Sequence, residues 1–418
     1  MENGLHNFIY FFSAVAQILV FLFAAHYFII SIWGLIKRKE ESSKDYEPQK
    51  TFAMIVAAHN EERVISQVIE SLKKLNYPTD LYDIFVVADN CNDNTAAIAR
   101  EKGAIVYERF NTVKRGKGYA MEWIFDKIFR LDKSYDAISI FDADNVVSSN
   151  FLLEMNKQFC KGHKVVQGYV DTKNPFDSWI TSSYAITYWT MNRLFQLSRY
   201  YLGMNCALAG TGFSVDTKVL KELGWGATCL TEDLEFTMKL ALNGMKVTWC
   251  HDALVYDEKP LTLKHSWVQR KRWMQGHADC ATRFLPKLAK KAIEEKSLIA
   301  FDCSMYLLQP LNIILIGLVS LLAFIANYYP PGTFFEMSSF IPIHVWTIFV
   351  MTQFLYGPLI ISLERKLTFK TIIGILIYPI FALTWIPITI QGILDKDNKE
   401  WSHTLHTRQI SINELEEA

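Results

Sequence analysis

Two aspartates separated by a single residue, Asp142 and Asp144, follow an apolar run at 137–141. Carboxylates at this spacing can both reach one Mg²⁺ or Mn²⁺ ion, and such an ion can neutralise the charge of a departing diphosphate. A solvated turn after a strand would explain the same residues without any ligand. Their position at the end of an apolar strand favours the metal site.

A second acidic group, Thr231-Glu232-Asp233, could supply a base. A carboxylate here could accept the proton of a sugar hydroxyl as that hydroxyl attacks an anomeric carbon. The group also fits the start of a helix, with Thr231 as the N-cap and the acids favoured by the helix dipole. The two roles are compatible, because Thr231 can cap the helix while Asp233 acts as the base.

The third motif is Gln269-Arg270-Lys271-Arg272-Trp273. An arginine can bind a phosphate through two hydrogen bonds, and a tryptophan offers a flat face to a sugar ring. A basic helix at the membrane surface with a Trp anchor is the alternative, and it accounts well for Arg270 and Lys271. That alternative leaves the two acidic motifs unexplained.

Three smaller features could contribute to binding. Asp89 could accept hydrogen bonds from a base or a ribose, and Lys117, at the start of a predicted helix, could face phosphates. The segment Gly210-Thr211-Gly212 could let the backbone approach a sugar closely. An Asx turn, a loop–helix junction and a tight turn explain the three features equally well.

Composition limits the class of protein. The 418 residues include 43 basic and 43 acidic side chains, and this balance argues against a nucleic-acid partner held by bulk electrostatics. Half of the residues are hydrophobic, which indicates membrane spans. The 7 cysteines form no Cys-x-x-Cys pair, so a disulfide framework or a structural zinc site is disfavoured. His59 and His251 lack the partners of a metal site and are interpreted as hydrogen-bonded structural histidines.

The elements that must position these residues begin near residue 51, where short apolar strands alternate with amphipathic helices. Strands are predicted at 51–58, 83–88, 104–107 and 137–141, and helices at 61–75, 94–102 and 117–131. This alternation implies a parallel sheet covered on both faces, with ligands bound beyond the C-terminal strand ends. No Gly-x-Gly-x-x-Gly follows the first strand, so a dinucleotide cofactor is disfavoured.

Membrane segments are predicted at both ends of this domain. Residues 8–36 carry no charged side chain, and the basic residues 37–39 that follow place the N-terminus outside the cell and the domain in the cytosol. Residues 262–300 read as amphipathic helices at the membrane surface. Apolar stretches follow at 304–328, 340–363 and 371–394, and Pro379 and Pro387 favour a broken, re-entrant or surface-lying third stretch that leaves the tail in the cytosol.

The domain organisation is therefore expected to comprise six segments. These are a transmembrane helix at 1–37, a linker at 38–50, a catalytic domain at 51–261, interfacial helices at 262–302, a membrane region at 303–394 and a cytoplasmic tail at 395–418.

Together these motifs resemble the family 2 inverting glycosyltransferases, whose GT-A fold is a Rossmann-like α/β domain with a mostly parallel sheet. The resemblance covers residues 51 to about 280 and is strongest to membrane-integrated synthases of hyaluronan, chitin oligosaccharides, cellulose, poly-N-acetylglucosamine and exopolysaccharides. It implies a nucleotide site, a metal pair, an acceptor site and catalytic residues. The implied residues are Ala57, His59, Glu61, Asp89, Lys117, Asp142, Arg272 and Trp401 for the nucleotide, Asp142 and Asp144 for the metal, Gly210, Thr211, Gly212, Asp233 and Trp273 for the acceptor, and Asp233, Glu232, Arg272, Trp273 and Gln269 for catalysis.

Residues 401–408 resemble the Trp-containing C-terminal motif that is thought to close over the nucleotide in such synthases. Ala88 stands where the family often has the first of two acids, which bears on base contacts and not on the metal pair.

The expected activity is transfer of N-acetylglucosamine or glucose from a UDP-sugar, with Mg²⁺ or Mn²⁺, to a growing polysaccharide that could cross the membrane. A lipid acceptor is the alternative. Accessory export or regulatory subunits are conceivable partners, besides the bilayer itself. A transporter or channel is a rival, but no candidate span carries an intramembrane Asp, Glu, Lys or Arg. A non-catalytic nucleotide-binding scaffold is a further rival, although all three key acids are present.

Overall fold

The structure, a computed structural model, describes residues 2–36, 46–226, 228–340, 342–398 and 408–416. Helix α1 spans Glu2–Ser31 and continues as a 3₁₀ turn, Ile32–Leu35. Its length and apolar composition over Gly4–Leu35 are sufficient to cross a membrane, as the sequence predicts. The basic residues 37–39 lie outside the described part of the chain.

An eight-stranded sheet forms the centre of the α/β domain. Its strands are β1 Phe52–Ala58, β2 Tyr82–Asp89, β3 Ile105–Arg109, β4 Ala137–Asp142, β5 Val146–Val147, β6 Val165–Thr172, β7 Phe213–Asp216 and β8 Thr248–Asp257, in the spatial order β3-β2-β1-β4-β7-β6-β8-β5. The four predicted strands, β1 to β4, are parallel to one another. The sheet as a whole is mixed, because β7 runs antiparallel to β4 and β6, and β5 runs antiparallel to β8.

Helices cover both faces of this sheet, as the alternating pattern predicts. They are α2 Ile65–Lys73, α3 Thr95–Glu101, α4 Lys117–Ile128, α5 Phe151–Cys160, α6 Trp179–Met191, α7 Ser198–Tyr201, α8 Thr217–Leu223 and α9 Glu232–Leu242. Successive β1 side chains point to opposite faces. Ile55 packs in the core beneath α4 and α9, whereas Met54 and Val56 pack in the core beneath α2 and α5.

The register of the parallel strands brings the predicted polar residues to one edge. Ala58 of β1 pairs with Ala88 of β2, and Ala57 pairs with Asp142 of β4. The strand ends are therefore level, and the residues that follow them emerge side by side. This is the edge at which ligands of open α/β sheets bind.

Long helices follow the sheet. The amphipathic α10, Leu263–Glu294, begins after Thr262, whose side chain accepts a hydrogen bond from the backbone of His265, and it is followed by α11, Leu298–Leu307. Leu234 of α9, Cys280 of α10 and the buried face of α11 share one apolar core. This contact fixes the third sequence motif, on α10, against the acidic motif at the start of α9.

Three helices complete the C-terminal region, and the third differs from expectation. They are α12 Gln309–Ala326, α13 Ile343–Leu363 and α14 Phe369–Leu394. The prediction of a broken third stretch was wrong, because α14 runs without interruption through Pro379 and Pro387. It packs along α6 and α10, and such neighbours can support a helix where proline removes backbone hydrogen bonds. By length and composition, α12 and α14 could also cross a membrane.

Both ends of α14 nevertheless contact the α/β domain or its adjoining helix. Before its start, the Lys366 ammonium lies 2.9 Å from the Asp171 carboxylate at the end of β6. After its end, the side-chain amide of Gln275 on α10 donates to the backbone oxygen of Asp395 at 2.9 Å.

The described part of the tail also returns to the α/β domain and ends in α15, Ile412–Glu416. The backbone N–H of Arg408 donates to the Glu258 carboxylate at 3.0 Å, and Ile412 is buried against Val146 and Tyr256. The tail segment therefore lies on the same side of the molecule as the sheet.

Candidate active site

A cavity of about 1400 Å³ opens at the C-terminal edge of the sheet and gathers most of the predicted site residues. Its wall includes Ala57, His59, Glu61, Asp89, Lys117, Asp142, Asp144, Gly210, Thr211, Glu232, Asp233, Gln269, Arg272 and Trp273. Trp401 lies outside the described residues. These side chains come from the first, second and fourth strands, from α4, α9 and α10, and from the loop before β7, so the fold alone assembles them.

The ends of β1 and β2 form one side of the cavity. His59 Nδ1 lies 2.6 Å from the backbone oxygen of Asp89, and because a carbonyl can only accept, that nitrogen carries the proton. The Asp89 carboxylate is buried and pairs with Arg109 Nη1 at 2.5 Å. Burial raises the pKa of Asp89, and the contact with Arg109 opposes this shift. Glu61 is buried, and its backbone N–H donates to Thr95 Oγ1 at 2.8 Å.

Arg109 supports the site through its ion pair with Asp89, and the sequence motifs did not reveal it. It ends β3, the edge strand beside β2, and is therefore level with Asp89 in the parallel register. An arginine at the end of the third parallel strand is the signal that could have identified it.

Lys117 directly contacts one member of the predicted metal pair. It begins α4 immediately after Gly116, whose φ of +106° is accessible to glycine and strained for other residues. Its ammonium pairs with the Asp142 carboxylate and donates to the backbone oxygen of Gly210 at 2.6 Å. Burial alone would lower the pKa of Lys117, but the Asp142 and Glu232 carboxylates hold it above its usual value.

Asp142 and Asp144 are held differently at the end of β4. The Asp142 side chain is partly exposed in the cavity, and its backbone N–H donates to Thr211 Oγ1 at 3.1 Å. Asp144 is buried, and its Oδ2 accepts a hydrogen bond from the backbone N–H of Glu258 at 3.1 Å. Both line the same cavity as Lys117.

The residues fit a hard cation that shares its ligands with a substrate. Within the described part of the chain, no cluster of three or more His, Cys, Asp or Glu side chains is arranged to hold a metal ion. Mg²⁺ is usually bound by one or two carboxylates together with substrate phosphates, not by a complete protein cage. Two carboxylates with space beside them match that donor set.

The two glycines of the segment Gly210-Thr211-Gly212 have different surroundings. Gly210, at φ +78°, faces the acids, and a Cβ added there would lie 3.4 Å from Asp233 Oδ2. Gly212 instead sits behind the cavity wall, where its N–H donates to Ile140 and a Cβ would meet Val255 at 2.9 Å. The close approach expected for the loop therefore occurs at Gly210.

The acidic motif begins α9, with Thr231 at the N-cap position as predicted. Its side chain makes no capping hydrogen bond, so the predicted capping bond was wrong. Thr231 packs instead against α10, where a Cβ added to Gly276 would lie 2.4 Å from its Oγ1. The Asp233 carboxylate accepts the backbone N–H of Leu234 at 2.8 Å.

The two acids of this motif have perturbed protonation equilibria. Burial raises the pKa of Glu232 to about 7, with Lys117 opposing the shift and Asp233 adding to it. Burial also raises the pKa of Asp233, while the hydrogen bond from Leu234 opposes the shift. A carboxylate with a raised pKa is a stronger base than an exposed one.

The third motif splits across two sides of α10. Gln269 Oε1 accepts the Tyr184 hydroxyl at 2.9 Å, and Trp273 stacks on Trp385 of α14 with ring centroids 6.5 Å apart. Burial lowers the pKa of Arg272, and Glu232 and Asp142 oppose this shift. Of the two arginines in this motif, Arg272 is the one that lines the cavity and could contact a phosphate.

Arg270 faces the other way, which corrects the interpretation of this residue as a membrane-surface cation. It is fully buried, donates to Thr384 Oγ1 at 2.9 Å and lies 4.1 Å from the centroid of the Phe381 ring. An arginine at the membrane surface would be exposed. Lys271 does lie at the surface, where it pairs with Asp395.

His251 and the far wall of the cavity complete the picture. His251 packs edge-on against Tyr169 at 4.9 Å, in keeping with a structural histidine. The far wall comes from aromatic residues of α6 and α11, such as Tyr188 and Tyr306, and from apolar residues of α12 and α14. No sequence motif marked this wall, because it forms only when helices distant in sequence pack together.

Comparison with known proteins gives one family and several partial relatives. Residues 48–276 match the family model described as glycosyltransferase like family 2. A probable glycosyltransferase YdaM of Bacillus subtilis (strain 168) is 26% identical over 57% of this chain and 58% of its own length. A beta-monoglucosyldiacylglycerol synthase of Synechocystis is 28% identical over 55% of this chain and 48% of its own length. This chain thus spans only about half the length of these two relatives.

Two further proteins share more of the chain. A poly-beta-1,6-N-acetyl-D-glucosamine synthase of Staphylococcus epidermidis is 25% identical over 69% of both chains. The solved structure of a mannosyltransferase of Pyrobaculum calidifontis, in complex with GDP-Man and Mn²⁺, has a TM-score of 0.61 at 16% identity and covers 92% of this chain and 97% of that one. The latter likeness shows the fold, which is the predicted GT-A type.

Proposed function

Because the chain belongs to glycosyltransferase family 2, we propose that it transfers a sugar from a UDP-sugar, with inversion, to an acceptor hydroxyl. The observation that carries this proposal is the convergence at Gly210. Its carbonyl oxygen accepts Lys117 at 2.6 Å, and the position of a Cβ on it lies 3.4 Å from Asp233 Oδ2. A cation suited to a diphosphate and a carboxylate suited to a hydroxyl thus meet at one point.

The donor occupies the sheet edge in this proposal. Residues 57–61 and Asp89 contact the nucleoside, with Arg109 holding the Asp89 carboxylate. Lys117 and Arg272 then contact the diphosphate, since both cations line the same cavity. The absence of a second acid at Ala88 limits hydrogen bonding to the base and leaves the diphosphate contacts unaffected.

Asp142 and Asp144 would hold Mg²⁺ or Mn²⁺ against the diphosphate. Such an ion, when bound, neutralises charge on the leaving group. Lys117 adds a fixed positive charge on the same side, and its ion pair with Asp142 orients that carboxylate in the cavity.

Asp233 is the general base in this proposal. The acceptor O–H gives its proton to Asp233 Oδ2, and its oxygen forms a bond to the anomeric carbon. The bond from that carbon to the phosphate oxygen breaks, and its electron pair leaves with UDP. Attack opposite the leaving group inverts the anomeric centre, and Trp273, beside Gln269, shapes the acceptor side.

Two classes of acceptor are compatible with this proposal. A growing polysaccharide of N-acetylglucosamine or glucose is the first, and a relative named as a poly-N-acetylglucosamine synthase supports it. A lipid acceptor is the second, and a relative named as a glucosyldiacylglycerol synthase supports that. Partner subunits for export or regulation belong to the first form.

For the membrane topology we propose an external N-terminus and a cytosolic catalytic domain at 51–261, flanked by the linker, interfacial, membrane and tail segments expected from the sequence. In this arrangement α1, α12 and α13 cross and α14 does not. Contacts of both ends of α14 with the domain side support this, as does the docked tail. The segment between α12 and α13 contacts α1 through Phe335, whose N–H donates to Ser13 Oγ at 2.8 Å.

The test is UDP release by the purified full chain with a panel of UDP-sugars and either Mg²⁺ or Mn²⁺, followed by mass spectrometry of the product. UDP-N-acetylglucosamine or UDP-glucose should release UDP faster than the other UDP-sugars of the panel. A protein that neither binds nor cleaves any UDP-sugar would contradict the proposal.

A further inference from the structure

We infer that the acceptor is a neutral membrane lipid with a free hydroxyl, whose hydrocarbon chain enters the active site through a cleft between α12 and α14. This inference rests on the proposed glycosyl transfer and selects the acceptor class for it. The cleft is defined here by six apolar residues of the cavity wall: Ile313, Ile316, Pro379, Ala382, Leu383 and Ile386.

The cleft and the catalytic groups belong to one continuous cavity. The same cavity wall contains Asp233 and Arg272 at one end and the six cleft residues at the other. Its volume, about 1400 Å³, exceeds the ~300–1,000 Å³ of a typical small-molecule site. A nucleotide-sugar therefore leaves room for part of a second substrate.

Helical spacing explains how the cleft forms. Residues 309, 313 and 316 recur at intervals of four and three on α12, so they share one face, and residues 379, 382, 383 and 386 do the same on α14. The two helices approach closely at Gly317, where an added Cβ would lie 3.0 Å from Ile386 Cγ2. Above and below that contact, the facing side chains line the cavity.

Residues of the cleft are exposed on helices that carry other exposed apolar side chains. Ile316 is 43% exposed and Leu383 is 66% exposed, although both line the cavity. Neighbouring apolar side chains such as Leu376 and Ile380 on α14 are exposed in the same way. Because α12 could cross a membrane by length and composition, hydrocarbon chains are the natural surroundings of these side chains.

The chemistry of the wall selects a neutral amphiphile. The six cleft residues offer no hydrogen-bond donor or acceptor from their side chains, so a glycan chain there would depend for hydrogen bonds on the neighbouring wall residues Gln309, Tyr378 and Trp385. A hydrocarbon chain needs no such partner. At the inner end, the proposed function assigns Lys117 and Arg272 to the diphosphate, and the Asp233 carboxylate that remains accepts the proton of a hydroxyl. An uncharged lipid alcohol satisfies both ends, with its hydroxyl at Asp233 and its chain in the cleft.

The experiment uses two tryptophan variants of the full chain in lipid nanodiscs containing diacylglycerol. Leu383→Trp fills the cleft, whereas Ile380→Trp is the matched control, since Ile380 is 60% exposed on the same helix and does not line the cavity. With the preferred UDP-sugar, Leu383→Trp should lower lipid glycosylation about tenfold, corresponding to ~1.4 kcal/mol. Slow hydrolysis of the donor by water, and UDP binding, should be unchanged in both variants.

A second readout does not depend on turnover. Diacylglycerol with a photoreactive acyl chain should label peptides containing residues 313–316 and 379–386 in the unmodified protein and the Ile380→Trp variant, and less so in Leu383→Trp. Equal labelling of the two variants, or a ladder of polysaccharide products with no glycolipid, would overturn the inference while leaving UDP-sugar transfer intact. Failure to bind or cleave any UDP-sugar would instead contradict the proposed function.

Discussion

Lys117 at the start of α4 forms an ion pair with Asp142 at the end of β4. The pair joins the cation expected to contact the diphosphate with one of the two acids expected to hold the metal ion. Because both side chains line one cavity, removing either charge changes the field that the donor meets. The two roles can be separated by replacing each residue alone.

Replacing Lys117 with methionine should weaken UDP binding. A charge-assisted hydrogen bond contributes ~1.5–3 kcal/mol, so the loss should be about 10- to 100-fold. Lys127→Met, on the exposed side of the same helix, is the matched control and should bind UDP normally. Calorimetric titration with UDP measures both, and equal affinities would remove Lys117 from the diphosphate site.

Asp142→Asn should uncouple UDP binding from the metal ion. In the unmodified protein, addition of Mn²⁺ to metal-free protein should raise UDP affinity, since the ion is shared by the carboxylate and the phosphates. The variant should show little gain, while Asp126→Asn, an exposed change on α4, should keep the full gain. If Mn²⁺ has no effect on UDP affinity in the unmodified protein, the metal assignment fails.

The raised pKa of Glu232 predicts a pH-dependent effect on stability. Burial moves this pKa from 4.5 to about 7, so between these values the unfolded chain ionises the group while the folded chain keeps it protonated. The contribution of Glu232 to folding stability is therefore complete below pH 4.5 and is lost as the pH rises through about 7.

Glu232→Gln should consequently gain stability relative to the unmodified protein as the pH rises across that window. Melting temperatures measured without metal or nucleotide at pH 5 and pH 8 test this. The exposed Glu222→Gln should show a constant difference from the unmodified protein. If the melting temperature of Glu232→Gln, relative to that of the unmodified protein, is lower at pH 8 than at pH 5, the assignment is contradicted.

The tail is expected to be cytosolic. A cysteine placed at the exposed Asn413, in a variant lacking its native cysteines, should resist a membrane-impermeant maleimide in intact cells. It should react once the membrane is permeabilised. A cysteine in the segment between α12 and α13, at the exposed Ser338, should react in intact cells. The reverse pattern would invert the proposed topology.

The sequence predicted which residues lie at the C-terminal edge of the first four strands. Alternating strands and helices predicted β1 to β4. Because these strands are parallel and in register, Ala57, Asp89 and Asp142 lie near their ends at the same edge of the sheet. Four strands were not predicted. The antiparallel β5 and β7, of two and four residues, are too short to show periodicity. The longer β6 and β8, of eight and ten residues, were also missed, and β6 is buried along its whole length and so shows no alternation.

Contacts between distant helices could not be read from the sequence. Arg270 and Arg272 are two residues apart on α10 and carry the same side chain. Nevertheless, Arg270 is buried against Phe381, whereas Arg272 lines the cavity. Pro379 and Pro387 predicted an interruption that packing along α6 and α10 removes. The lining of the cleft depends on the same packing, so it too is visible only in the folded chain.

The most direct test of the central claim is the transfer activity of Asp233→Asn with the preferred UDP-sugar. A general base contributes about 10²- to 10⁴-fold, so turnover should fall at least about a hundredfold. UDP affinity should stay nearly unchanged, because Asp233 faces the acceptor and not the diphosphate. Turnover close to that of the unmodified protein would show that Asp233 is not the base and would contradict the mechanism.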